Sequence, residues 1–186
     1  MAVNMTIGWA RRHKDLVELA EQLLLRGMRP PLVSTLTGLS HNCCVELRHD
    51  LLPGQRPPRA SIPRSLDGRS FSTRRAREKG SFFVAPYLAL CGSEAWRRIN
   101  VHALISAYDL HRQACERLGW QPLPIDWTYV IARAATDPQQ FVVHRCATCK
   151  APFLPNSGSD HCPICLRLLR RKLDPQPVDS DALASG

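Results

Sequence analysis

Two pairs of cysteines, Cys146-Ala-Thr-Cys149 and Cys162-Pro-Ile-Cys165, carry the strongest chemical signal in this sequence. A CxxC turn sets two thiolates on one side of a tight loop, and two such turns can close a tetrahedron around Zn2+ with each sulfur ~2.3 Å from the metal. The spacer from Lys150 to His161 is shorter than the ~15–20 residues usual between such pairs, but the pattern is the same in kind. Four protein ligands leave no position for water, so the expected cofactor is one structural Zn2+ held by Cys146, Cys149, Cys162 and Cys165. His144 and His161 flank the set and are then left without a coordination position. Disulfides or redox dithiols are the competing reading and need an oxidising compartment. The opening Met1-Ala-Val-Asn-Met-Thr-Ile-Gly8 is not a basic stretch followed by an apolar core and a small-residue cleavage site, so the expected location is cytoplasmic. Cys43, Cys44, Cys91 and Cys115 stand in apolar patterns and read as small buried hydrophobes.

No HExxH, GxSxG, Walker loop or GxGxxG is present, and no His/Asp/Glu set has spacing suited to acid–base work. The expectation is a protein that is not an enzyme. The 186 residues are 44% hydrophobic and 22% charged, enough for one core plus a small module, and no apolar run is long enough to span a membrane.

The placement of charge says more than the net +9. Between Arg56 and Lys79 stand Arg56, Arg59, Arg64, Arg69, Arg74, Arg75, Arg77 and Lys79, opposed only by Asp67 and Glu78. Arg167, Arg170, Arg171 and Lys172 follow the second cysteine pair. Such clusters suit a polyanion, because phosphate neutralisation supplies much of nucleic-acid affinity; alone, they read equally as solvated surface. Pro, Ser and Gly interleave the first cluster, which predicts an extended basic arm over about 53–80 rather than a helix.

The elements that must hold these groups are mostly helical. Leu16, Leu19, Ala20, Leu23 and Leu24 form the apolar face of a helix that Gly27 ends. Ser93 is placed to cap a long helix with an apolar stripe through Trp96, Ile99, Ala103, Ala107, Leu110, Ala114 and Leu118, stopping near Gly119. A shorter helix around Trp127, Val130, Ile131 and Ala134 ends before Asp137-Pro138. The fold class is mainly α: a helical domain (1–140) with a helix-turn-helix, then a small zinc-ribbon-like module (141–173) and a disordered acidic tail (174–186).

The helix-turn-helix candidate spans about 31–52. Two helical patterns meet at Thr37-Gly38-Leu39-Ser40, where Gly38 supplies positive φ and Ser40 can cap the second helix. Val33, Leu36, Leu39, Cys44, Leu47 and Leu51 read as inward, and His41, Asn42, Val45, Arg48 and His49 as outward. In a DNA-binding motif of this kind the start of the second helix approaches base edges, so Ser40, His41, Asn42 and Arg48 are candidate reading residues. Arg64, Arg74, Arg75, Arg167, Arg170, Arg171 and Lys172 are candidate phosphate contacts. A plain helical hairpin, in a protein-interaction module without DNA binding, is the alternative.

The order of these pieces resembles the FlhC-like family of transcriptional activators from about Leu16 to Leu173. The resemblance rests on Thr37-Gly-Leu-Ser40 with Glu46-Leu47, on Pro57-Pro58 and Phe71-Ser-Thr73, on His102-Ala-Leu-Ile-Ser-Ala-Tyr108-Asp-Leu, on Trp127, on the two cysteine pairs and on Arg170-Arg-Lys-Leu173. It implies a tetrathiolate zinc site in the double-stranded-DNA-contacting subunit of a heteromeric activator, partnered by a small helical FlhD-like protein and recruiting RNA polymerase. Arg74-Arg-Ala-Arg-Glu-Lys79 stands where flagellar members are rich in aromatics. That departure fits relatives that activate conjugative-transfer genes at least as well as regulators of flagellum biogenesis.

Overall fold

A computed structural model describes residues 13–55, 62, 63, 66, 71–137, 143–155 and 159–173, without the side chains of Trp96 and of residues 170–173. Arg64, most of the arm between 56 and 70, and the acidic tail lie outside the described residues. Three helices come first: α1 (Lys14–Leu25), α2 (Pro30–Thr37) and α3 (His41–Leu51). They are followed by α4 (Arg74–Cys91), a 3-10 turn (Gly92–Trp96), α5 (Val101–Arg117) and α6 (Ile125–Ala135). A two-stranded antiparallel ribbon, β1 (His144–Arg145) and β2 (Pro152–Phe153), precedes α7 (Pro163–Leu173). No helix among the described residues is long and apolar enough to cross a membrane.

The glycine stops act as the sequence predicts. At Gly27 (φ 88°) the Met28 N–H reaches the Leu23 carbonyl and the Gly27 N–H that of Leu24, a Schellman closure of α1. Gly119 (φ 64°) ends α5 in the same way, with Trp120 N–H on Cys115 O. Gly38 (φ 75°) turns α2 into α3, and Ser40 accepts the Cys43 N–H at 3.2 Å to cap α3.

Three sequence expectations fail here. Residues 74–79 are not an extended arm: they open the 18-residue α4, because Thr73 caps it by accepting the Ala76 N–H at 3.2 Å and Arg, Ala, Glu and Lys all propagate a helix well. The long helix does not start at Ser93. Gly92–Trp96 is a 3-10 turn, and α5 begins after Asn100, whose Oδ1 accepts the Ala103 N–H at 3.0 Å; Leu110 faces outward, while Ala103, Leu104, Ala107, Tyr108, His111 and Cys115 face the core. Arg48 is buried rather than outward: it lies one turn after buried Cys44 on the same face of α3, and its Nη2 donates to Gln55 O at 3.4 Å.

The core runs through α4, whose Phe83, Val84 and Tyr87 are fully buried among residues of α1, α2, α5 and α6. Burial of side chains of this size stabilises by ~1.5–3 kcal/mol each. Two ion pairs tie the first helices to the rest. Arg26 is bidentate on Asp109 (2.9 and 2.6 Å), and Arg29 meets buried Asp126 through Nε (2.6 Å) and backbone N–H (3.2 Å).

The ribbon is not a detached appendage. A Cβ built on Gly80, in the middle of α4, would stand 2.6 Å from Leu154 Cδ1 and 3.3 Å from Ile131 Cδ1, so the absent side chain lets the segment after β2 lie against the helix. Ser81 Oγ accepts the Leu154 N–H (3.1 Å) and donates to Arg77 O (2.8 Å), while Arg77 donates to Pro155 O (2.8 Å) and Phe71 O (2.8 Å). Gly80→Val should therefore overpack this contact, cost ~1–3 kcal/mol and lower the melting temperature. Limited proteolysis should then cut first near 143–155.

His111 gives a pH test. Burial, reinforced by the nearby Lys79 charge, holds its pKa down to about 4 from the ordinary 6.5, against a hydrogen bond to the Lys79 backbone, and its Nε2 accepts the Leu123 N–H at 3.0 Å. Between those values the unfolded chain binds a proton that the folded chain refuses. The contribution is thus full above about 6.5 and is lost as pH falls toward 4, at up to ~1.4 kcal/mol per pH unit. Denaturant titrations at pH 7 and 5 should show this slope, and His111→Gln should flatten it.

Candidate metal centre and basic cleft

The first cysteine pair sits on the turn that joins β1 to β2. Cys146 N–H bonds Ala151 O (3.0 Å), Lys150 N–H bonds Cys146 O (3.0 Å), and Lys150 takes φ 61°, the one non-glycine with positive φ among the described residues. Its Nζ folds back onto Ala147 O at 2.9 Å. The second pair belongs to α7. Cys162 is the cap residue: its Sγ accepts the Cys165 N–H (3.5 Å), its carbonyl accepts the Leu166 N–H (2.9 Å), and Pro163 takes the first helical position, where no N–H is needed. Two hydrogen bonds donated by the backbone join the halves, Cys162 N–H to the Cys146 side-chain Sγ at 3.2 Å and Ala147 N–H to Asp160 O at 2.8 Å.

The four sulfurs lie within 4.8 Å of one another, with Cys149 and Cys162 3.6 Å apart. A tetrahedron of Zn–S bonds has edges of ~3.8 Å, so the set fits one ion with small adjustment. His144 and His161 are not in the set; His161 Nδ1 lies 3.2 Å from Thr148 Oγ1. All eight cysteines are free thiols. Cys146, Cys162 and Cys165 pack with Phe153 in a small core of their own, and Cys149 is exposed.

The thiols are not equivalent. Burial pushes Cys146 up, but the backbone N–H groups of Cys149, Cys162 and Thr148 outweigh it and bring it down to about 5. Burial, together with the hydrogen bonds it shares with the other three thiols, drives Cys165 up to about 12, and Cys162 is raised by burial as well. A bound metal would replace those protons, so metal is held more weakly as pH falls.

Beside this centre, α4 and α7 enclose a cleft of about 350 Å3 lined by Arg74, Arg75, Glu78, Pro163, Leu166 and Arg167. Arg74 pairs with buried Glu78 at 2.9 Å. Trp120, just past the glycine stop of α5, carries two guanidinium groups: Arg75 at 3.6 Å and Arg167 at 4.3 Å from the ring centroid. Contacts of this kind are worth ~0.5–2 kcal/mol each. Phe82 meets the edge of the same ring at 5.9 Å.

The structure brings Arg74, Arg75 and Arg167 together although 92 residues separate Arg75 from Arg167. The start of α3 is not part of that lining: Ser40 caps the helix with its hydroxyl, and His41 and Asn42 in its first turn are exposed. Arg170, Arg171 and Lys172 continue α7, but their side chains, like all of Arg64, lie outside the described residues. Sequence alone marks Arg77 only as a member of the basic cluster and gives no functional sign for Gly80 or Trp120, whose partners come from distant segments.

Cys162→Ser should remove a candidate metal ligand while leaving a hydroxyl able to cap α7. Metal content should fall and residues 144–173 lose structure, while α1–α6 keep their ellipticity; binding energies of small thiolate zinc modules, ~10–16 kcal/mol, set the scale. Titrating metal-free protein with Zn2+ at neutral pH should also release thiol protons, those of Cys162 and Cys165 among them, to an indicator dye.

Residues 10–170 match the model of the family described as "Flagellar transcriptional activator (FlhC)". No curated protein matches the chain.

Proposed function

The chain belongs to the FlhC family of flagellar transcriptional activators, and on that premise we propose that it is the DNA-contacting subunit of a zinc-stabilised transcriptional activator. The match over residues 10–170 carries this reading, since it covers the first helices, the α4–α6 core and the cysteine module together and belongs to a family of transcription regulators rather than enzymes. The net charge of +9 and the arginine cleft beside the metal centre support it, because phosphate contacts supply the sequence-independent part of DNA affinity.

Two surfaces divide the work. The exposed start of α3, with His41 and Asn42, reads bases in the major groove as the second helix of a helix-turn-helix, Asn42 being able to pair bidentately with adenine. Arg74, Arg75 and Arg167, with Arg64, Arg170, Arg171 and Lys172, hold phosphates. Zinc supplies no chemistry beyond fixing the thiolate loops and the start of α7. Arg48, buried in the folded chain, is left out of the reading surface. The chain works with an FlhD-like subunit in the cytoplasm, recruits RNA polymerase, and acts at promoters of conjugative-transfer or flagellar genes; the genes that adjoin its own would decide between the two.

A second reading, a protein-interaction module without DNA contact, is favoured by Ile164 and Leu168, which lie one turn apart on α7 and are each about half exposed. Fluorescence anisotropy with promoter-sized duplex, with and without the partner, separates the readings. Binding that weakens steeply with salt is expected, and no binding at low salt with the partner present would leave the interaction module standing. Asn42→Ala should cost ~1–3 kcal/mol of discrimination at one base pair while leaving the salt dependence unchanged.

A further inference from the structure

Arg75 and Arg167 share one indole ring, and their distances to its centroid bring the two cations within about 8 Å of each other, no farther than the Debye length of ~8 Å at physiological ionic strength. Their repulsion is therefore only partly screened. The one carboxylate in the cleft, Glu78, is taken by Arg74, and among the described residues neither Arg75 nor Arg167 has a carboxylate partner. Arg74 and Arg75 begin α4 and Pro163 begins α7, so the first turns of two helices contribute to the lining of the cleft. Trp120 has the place of a brace: its π face attracts each guanidinium and keeps the fork of N–H donors in a fixed plane. The ring is only 8% exposed, so it is not free to stack on a base, which points to an anion rather than to a nucleobase.

We propose that the Arg75–Trp120–Arg167 cleft is a phosphate clamp that grips adjacent phosphates of the DNA backbone, with Trp120 as the positioning residue. The proposal rests on the DNA-binding reading above and locates its sequence-independent anchor. It also joins the clamp to the metal centre, since Arg167 stands two residues beyond Cys165 on the same helix. Such a clamp fixes the register of the protein on DNA and carries no sequence preference of its own.

The test uses the full chain, zinc-loaded and with its partner subunit, on target and random duplexes over a salt series. Arg75→Gln with Arg167→Gln should make the slope of log K against log [salt] shallower by ~1.8, two contacts at ~0.9 each. Affinity for both duplexes should fall alike, and metal content should be unchanged. Trp120→Phe keeps an apolar ring and both charges, and should shift the slope in the same direction. If the wild type binds DNA and the double variant keeps its slope, the clamp is wrong while the DNA reading stands. A slope that moves in the double variant but not in Trp120→Phe would remove the positioning role. If the wild type binds neither duplex, the premise fails and the clamp with it. A third arm compares melting in inorganic phosphate and in chloride at equal ionic strength. Stabilisation by phosphate that the double variant loses, with its DNA slope unmoved, would make this a small-anion site and overturn the nucleic-acid assignment.

Discussion

The structure turns on one close approach, the seating of Leu154 over Gly80. The middle of α4 carries no side chain where the strand segment crosses it, and the Ser81 and Arg77 hydrogen bonds close around that contact. Because α4 is also the helix that fills the core with Phe83, Val84 and Tyr87, the cysteine module is oriented by the same element that organises the rest. Glycine in a helix interior costs ~1 kcal/mol relative to alanine. Here that cost is offset by the room left for the Leu154 side chain, whose Cδ1 would stand 2.6 Å from a Cβ at this position. The geometry of the basic cleft follows, since its two walls are the first turn of α4 and the start of α7.

The parts of the molecule that were legible in the sequence are those specified over a few residues. Cys146, Cys149, Cys162 and Cys165 announce themselves by spacing, and Gly27, Gly38 and Gly119 stop their helices because each takes a φ that other residues avoid. Segment α4 was illegible for the opposite reason. Its arginines, interleaved with Pro, Ser and Gly upstream, read as part of an extended arm, and Gly80, Ser81 and Pro86 break any clean period, so the helix that Thr73 caps shows no apolar face in the sequence. Asn100 rather than Ser93 caps α5 because the intervening residues close into a 3-10 turn. Arg48 shows how narrow the margin is on a helix surface: Leu47 was assigned inward, yet Arg48 is the more buried neighbour. The meeting of Arg75 and Arg167 on Trp120 is beyond any local pattern, because the cluster draws on three segments far apart in sequence.

Electrostatics and packing share the same side chains in this protein. Arg77 belongs to the basic cluster by sequence, yet it acts as a backbone clasp for Phe71 and Pro155. Arg26 and Arg29 secure the first helices through Asp109 and Asp126. Charge counts therefore overstate the surface open to a polyanion, since these three guanidinium groups are taken up by the fold itself.

Cys162 stands in two arrangements at once, as one of four cysteines close enough together to hold a metal ion and as the residue whose sulfur caps α7. An isolated helix of 11 residues lies below the ~12–15 needed for marginal stability in water. A metal ion that organises Cys162 and Cys165 would therefore supply the nucleus that the helix cannot form for itself. The last stage of folding then becomes a bimolecular event, with a rate that scales with free metal concentration rather than one set by the chain alone.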